Sequence, residues 1–282
     1  MTISGLGIVG GGQMGQGIAQ LAAGAGLEVR VVEANRDLLQ RALEGVAKNL
    51  DKLVQRGRLP QEKKAEILKR VKGSQGLEEL AGTEIIIEAV SEVEPLKLEI
   101  FRRLDSVVPP QTILASNTSS IPITRLASAT RRPEKVIGIH FMNPAPVMEL
   151  VEIVCGLKTS PETFQKAQEL AKSLGKTVVE VKDYPGFIVN RLLMPMLNEA
   201  MYVLMEGTAA REAIDKAMTL GTHQPMGPLA LADFIGLDTC LSILETLHKE
   251  FGDARYRPCP LLRRYVEAGW LGKKSGKGFY TY

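Results

Sequence analysis

Residues 6–22 read "LGIVGGGQMGQGIAQLA". An apolar run turns through glycines into a segment with helical spacing, and the rest of the chain can be ordered around that turn. Gly10-x-Gly12-x-x-Gly15 has a mechanical reason at each glycine. Gly10 allows a tight turn, Gly12 lets backbone approach a pyrophosphate, and Gly15 lets helix and strand pack closely. The helix that starts here offers free N–H groups and the positive end of its dipole to phosphates. Gly10, Gly12, Gln13, Met14 and Gly15 are therefore candidate cofactor-binding residues. The next apolar run, "EVRVVE" (28–33), ends on Glu33. A carboxylate at that strand end can accept both ribose hydroxyls of an adenosine and repel a 2′-phosphate, so the expected cofactor is NAD rather than NADP.

Outward from this unit, short β-branched runs alternate with longer helical patterns. Strands are predicted at 6–10, 28–33, 83–90, 112–117, 135–141, 148–154 and 177–182, with helix-like segments such as "RDLLQRALEGVAKNLDKLVQ" and "PETFQKAQELAKSL" between them. Strands separated by helices imply parallel βαβ units with right-handed crossovers, hence an α/β fold with a doubly wound Rossmann-type sheet. The nearly all-apolar "IIIEAV" suits a strand covered on both faces.

After "KDYPGF" (182–187) the strand signal stops, and Pro185-Gly186 interrupts regular structure. The expected division is an NAD-binding domain over 1–184 and an all-α C-terminal domain over 185–282, which contributes to the substrate site. The second domain reads as helices, including "PLALADFIGLDTCLSILETLHKEF" as one segment. Its broad Met- and Leu-rich faces predict a homodimer through it.

Net charge is +3, from 35 basic and 32 acidic residues. That balance gives no reason to expect nucleic acid or a membrane surface as partner. The three cysteines, Cys155, Cys240 and Cys259, lie far apart without metal-ligand spacing. They suit a reducing compartment, and no metal is expected. No charged-then-apolar leader precedes the first strand, and no apolar run approaches the roughly 20 residues of a membrane span. A cytoplasmic location is expected.

Among three histidines, His248 falls in an amphipathic helix pattern and His223 in the loop "LGTHQPMGP". His140 is different. It stands at the head of "HFMNPAPVMELVE" (140–152), at a strand end on the edge where open α/β sheets bind ligands. The same edge receives "SNTSS" (116–120), which crowds hydroxyls and an amide there. A histidine beside a nicotinamide suggests proton transfer coupled to hydride transfer, as in alcohol–carbonyl oxidoreduction. An orienting carboxylate could be Glu149 or Glu152, and strand parity leaves both open because both faces look apolar.

"GIVGGGQMGQGIAQ", "SNTSS", "HFMNPAPVMELVE", "PGFIVNRLL", "MGPLALADFIGLD" and "GKGFY" resemble, in order and over essentially the whole chain, the L-3-hydroxyacyl-CoA dehydrogenase family, and within it the short-chain bacterial 3-hydroxybutyryl-CoA dehydrogenases. The resemblance implies a base, His140, paired with Glu152. It implies that Ser119 and Asn190 hold the substrate's 3-oxygen and thioester region, and that Glu92, Lys97, Ser119, Asn143 and Lys277 lie beside NAD. Coenzyme A would lie near Asn49, Lys52 and Arg56, where the family more often shows Ser and Lys at the outer two positions. An acyl-CoA substrate and a place in fatty acid metabolism follow from the same resemblance. Two rival readings are a dehydrogenase of a non-CoA hydroxy acid or sugar acid and a non-catalytic NAD-binding protein.

Overall fold

The computed structural model describes residues 3–282. It divides into two compact units, one ending at Asp183 and the other running Tyr184–Tyr282.

In the first unit the opening motif becomes strand β1 (Gly5–Val9) and helix α1 (Gln13–Gly24). Chain order continues through β2 (Glu28–Val32), α2 (Arg36–Gln55), α3 (Gln61–Arg70), β3 (Val71–Ser74), β4 (Ile85–Glu88), α4 (Glu94–Val107), β5 (Ile113–Ser116), α5 (Ile123–Ala127), β6 (Val136–Phe141), β7 (Leu150–Cys155), α6 (Pro161–Ser173) and β8 (Thr177–Lys182). The strands form one sheet in the order β3-β2-β1-β4-β5-β6-β7-β8. From β3 to β6 all neighbours are parallel. The strand order reverses between β1 and β4, which lie side by side and parallel although two strands intervene in sequence. Such a switch point opens a crevice at the carboxyl ends of the strands, where doubly wound folds take their ligands.

Two features of this unit depart from the sequence reading. β3, "VKGS", is an eighth strand with no apolar run to announce it. It sits at the sheet edge beside β2, where one neighbour suffices and side chains need not be apolar. The β6–β7 pair is antiparallel, because residues 142–149 contain no crossover helix and a short connection can only turn back. Its register places His140 opposite Glu152. β4 and β6 are buried along their whole length. One core cluster joins β1, β2, β4, β6 and β7 to apolar faces of α1, α2 and α6, from Leu6 and Ile18 through Val46 to Leu170.

The second unit contains α7 (Val189–Met205), α8 (Arg211–Gly221), α9 (Pro228–Ile235), α10 (Leu237–Phe251) and α11 (Pro260–Glu267). The segment read as one helix over 228–251 is two, because Gly236 adopts φ 104° between α9 and α10. A second core cluster, including Leu197, Met201, Leu244 and Phe279, holds these helices together. Asp233 closes the C-terminal segment onto α9 by accepting from the backbone N–H groups of Phe279 and Tyr280 at 2.9 and 2.8 Å.

Candidate active site

The glycine turn is built as tightly as its spacing implies. Gly10 adopts φ 97°, and a Cβ there would lie 2.8 Å from the Val90 backbone nitrogen. A Cβ on Gly15 would lie 1.9 Å from the Gly10 carbonyl oxygen. Gly12 meets nothing within 4 Å, so its backbone faces open space. The first turn of α1 has no side-chain cap, which leaves its N–H groups available to an anion. Glu33 Oε1 accepts from the Gly11 N–H at 2.6 Å, tying the end of β2 to the loop. A cleft of about 440 Å³ runs along these parts, lined by Gly10, Gly12, Glu33, Leu38, Leu77 and Arg103 among others. An open backbone, uncapped N–H groups and a carboxylate at the far side fit a dinucleotide. Gln13 and Asn143 meet across this edge, Nε2 donating to Oδ1 at 3.1 Å. Met14 is half-buried and packs against the core.

At the end of β6, His140 is 4% exposed and both ring nitrogens are engaged. Nδ1 lies 2.8 Å from Glu152 Oε2 and Nε2 lies 2.9 Å from Ser119 Oγ. A carboxylate can only accept, so Nδ1 carries the proton and Nε2 presents its lone pair toward Ser119. Glu152 is buried, whereas Glu149 is exposed just before β7. Asn117 Oδ1 accepts from the Phe141 N–H at 3.0 Å and stitches the end of β5 to β6 beside the histidine.

Ser119 is itself held. Glu92 Oε1 accepts from the N–H groups of Ser119 and Ser120 at 3.0 and 3.1 Å, from Ser120 Oγ at 2.9 Å and from the Thr118 hydroxyl. Burial pushes the Glu92 carboxyl up, but the Lys97 ammonium and these donors outweigh it and hold the group below the usual carboxylate range. Lys97 is 1% exposed and spends its ammonium on three acceptors: Glu88 Oε1 at 2.7 Å, Glu92 Oε2 at 3.2 Å and the Val90 carbonyl at 3.3 Å. Any part it plays at the cofactor cleft therefore passes through Glu92 and the backbone around Val90.

Other residues singled out by sequence lie elsewhere. Asn49 and Lys52 are on α2, and Arg56 is its C-cap, with Lys52 and Arg56 exposed. In the second unit, Asn190 sits in the first turn of α7, and Lys277 Nζ lies 3.6 Å from the centroid of the Trp270 ring. His223 is exposed in its loop and His248 is on α10.

Two groups at the site escaped the sequence reading. Glu88 ends an otherwise apolar strand, and that lone charge in "IIIE" was the available signal. Burial pushes its carboxyl up against the opposing pull of Lys97 and Ser116. Lys176, just before β8, donates 2.7 Å hydrogen bonds to the Ala145 and Met148 carbonyls and so fastens the turn between the His140 and Glu152 strands. Nothing in its local sequence distinguishes it from a surface lysine.

The family pattern described as 3-hydroxyacyl-CoA dehydrogenase, NAD binding domain, matches residues 5–184, and that of the C-terminal domain matches residues 186–282. The chain is 55% identical over 282 residues to a probable 3-hydroxybutyryl-CoA dehydrogenase of Bacillus subtilis, covering 100% of this chain and 98% of that one. It is 51% identical over 281 residues to a 3-hydroxybutyryl-CoA dehydrogenase of Bradyrhizobium diazoefficiens, covering 100% and 96%. The crystal structure of an (S)-3-hydroxybutyryl-CoA dehydrogenase from Ralstonia eutropha superposes with a TM-score of 0.95 at 49% identity, covering 100% and 99% of the two chains.

Proposed function

The chain belongs to the 3-hydroxyacyl-CoA dehydrogenase family, and from that premise we propose that it is an NAD-dependent enzyme interconverting short-chain L-3-hydroxyacyl-CoA, such as 3-hydroxybutyryl-CoA, and its 3-oxoacyl-CoA. The observation that carries the mechanism is the line Ser119–His140–Glu152, with 2.9 and 2.8 Å between its members. Bound NAD supplies the hydride exchange at the substrate's third carbon. The chain supplies the proton. In oxidation, His140 Nε2 takes the proton of the 3-hydroxyl, and in reduction the imidazolium returns it. Glu152 keeps the proton on Nδ1 and stabilises the imidazolium as it forms. The Ser119 hydroxyl, already at Nε2, holds the substrate oxygen against that nitrogen.

Around NAD we assign Gly10, Gly12, Gln13, Met14 and Gly15 to the phosphates, Glu33 to the adenosine ribose, and Glu92 and Asn143 to the nicotinamide side, while a role for Lys277 at the cofactor rests on the family resemblance alone. The roles of Asn190 at the substrate and of Asn49, Lys52 and Arg56 toward coenzyme A rest on the family resemblance and on their residue types. A homodimer through the second unit and a cytoplasmic location complete the reading. The first is supported by the apolar side chains that unit exposes, and the second by free cysteines. Among the described residues no helix is long and apolar enough to cross a membrane.

Initial rates test the substrate. Acetoacetyl-CoA with NADH should be turned over far faster than free acetoacetate, and NADH should be preferred to NADPH, because Glu33 repels a 2′-phosphate in a partly desolvated cleft. Equal kcat/KM for free acetoacetate would favour a dehydrogenase of non-CoA hydroxy acids. Equal kcat/KM for the two cofactors would remove the role given to Glu33.

A further inference from the structure

Glu88 takes no part in the proton transfer just described, yet both of its carboxylate oxygens are engaged. It is 0% exposed at the end of β4. Oε1 accepts from Lys97 Nζ at 2.7 Å and from the Val90 N–H at 2.7 Å, and Oε2 accepts from Ser116 Oγ at 2.7 Å. Both oxygens lead to the same loop. Through Oε2, Ser116 Oγ in turn accepts from the Thr118 N–H at 3.1 Å. Through Oε1, Lys97 reaches Glu92, which accepts from the Ser119 and Ser120 N–H groups. Two routes of different chemistry, one neutral and one ionic, thus converge on residues 118–120 from a single buried carboxylate. Ser119 Oγ then stands 2.9 Å from His140 Nε2.

We propose that Glu88 is a positioning residue for the reaction, setting where the Ser119 hydroxyl stands against His140 by holding the 116–120 loop through Ser116 and through Lys97–Glu92. The inference rests on the roles proposed above for Ser119 and His140 and adds a residue that touches neither substrate nor cofactor. A buried carboxylate suits the task because three charge-assisted hydrogen bonds to fixed partners allow it little freedom. A neutral amide at the same place cannot accept all three, and it leaves the Lys97 ammonium to pull on Glu92 alone.

The test is a double-mutant cycle on kcat for acetoacetyl-CoA reduction, with melting temperature measured on every variant. Glu88→Gln should lower kcat by on the order of 10- to 100-fold, as expected for a displaced reacting group. In a Ser119→Ala background the same substitution should cost less than about 2-fold, because the group it positions is gone. Glu88→Gln/Lys97→Met removes both members of the buried Glu88–Lys97 pair and leaves Glu92, itself partly exposed, on its Thr118, Ser119 and Ser120 donors, and it covers the case in which the single variant fails to fold. It should lose at least the rate that Glu88→Gln loses, at near-wild-type melting temperature, and wild-type kcat in this folded variant would overturn the inference. An independent readout is the ¹⁵Nε2 resonance of His140, resolvable among three histidines. Glu88→Gln should move it in the direction that Ser119→Ala moves it. Wild-type turnover of acetoacetyl-CoA checks the substrate reading separately. An impaired Ser119→Ala together with equal-fold losses from Glu88→Gln in both backgrounds overturns the inference alone. Wild-type turnover in Ser119→Ala removes the inference together with the role of Ser119.

Discussion

In the mechanism we propose, the chemistry turns on His140, whose Nδ1 faces Glu152 and whose Nε2 faces Ser119. His140→Gln keeps a side chain of similar reach but no titratable base. We expect kcat to fall about 10²- to 10⁴-fold with NADH affinity little changed. Glu152→Gln should lose rate as well, and the double variant should be little worse than the worse single one, because the pair acts as a unit. A folded His140→Gln protein with wild-type turnover would refute the mechanism. Asp105 gives a prediction of a different kind. Burial raises its pKa, but the Arg131 N–H and the Arg132 and Arg131 side chains outweigh that and hold it below its ordinary 3.8. A depressed carboxylate contributes stability that is present above 3.8 and is lost as pH falls through the lower folded-state value. Asp105→Asn strands the buried Arg132 and should cost roughly 3–5 kcal/mol at neutral pH. Melting curves of both proteins should converge as pH drops below about 4, and a gap that stays constant would remove this account.

At the scale of elements, the β1–α1 turn separates two uses of glycine that look alike in sequence. Gly15 is needed for packing, since a Cβ there collides with the Gly10 carbonyl at 1.9 Å. Gly12 has open space and an ordinary negative φ of −67°, so the protein alone would accept a side chain. Gly15→Ala should therefore lower the melting temperature and NADH affinity together. Gly12→Ala should keep the melting temperature and weaken NADH binding, measured by fluorescence titration. An unchanged NADH affinity in Gly12→Ala would mean that no pyrophosphate approaches this backbone. The same contrast explains which strands the sequence disclosed. β4 and β6 are buried on both faces and are apolar, whereas β3 needs only one neighbour and its "VKGS" leaves no pattern to read.

For the whole molecule, the homodimer proposed through the second unit rests on side chains such as Leu192, Leu220 and Phe234, which are 70%, 67% and 53% exposed. Exposed apolar area of that kind is what an isologous interface removes from water. Light scattering should give at least twice the 30.7 kDa chain mass. A monomer at micromolar concentration with full activity would refute it.

The sequence by itself determined the class of fold and the tight glycine turn between β1 and α1, because a glycine turn and apolar periodicity are local: each depends on residues adjacent along the chain. It also placed His140 and the "SNTSS" segment at the same edge, since strand ends follow from strand boundaries. The choice between Glu149 and Glu152 was beyond local pattern, as both faces of that strand are apolar. Only the antiparallel β6–β7 register, held in part by the distant Lys176, sets Glu152 opposite His140. Lys97 shows the same limit in reverse. In sequence it is a helix lysine, and its role is decided by Glu88 and Glu92, which fold around it from the end of β4 and the turn before α4. A buried charge acquires its meaning from partners, and partners far apart in sequence are supplied only by tertiary packing.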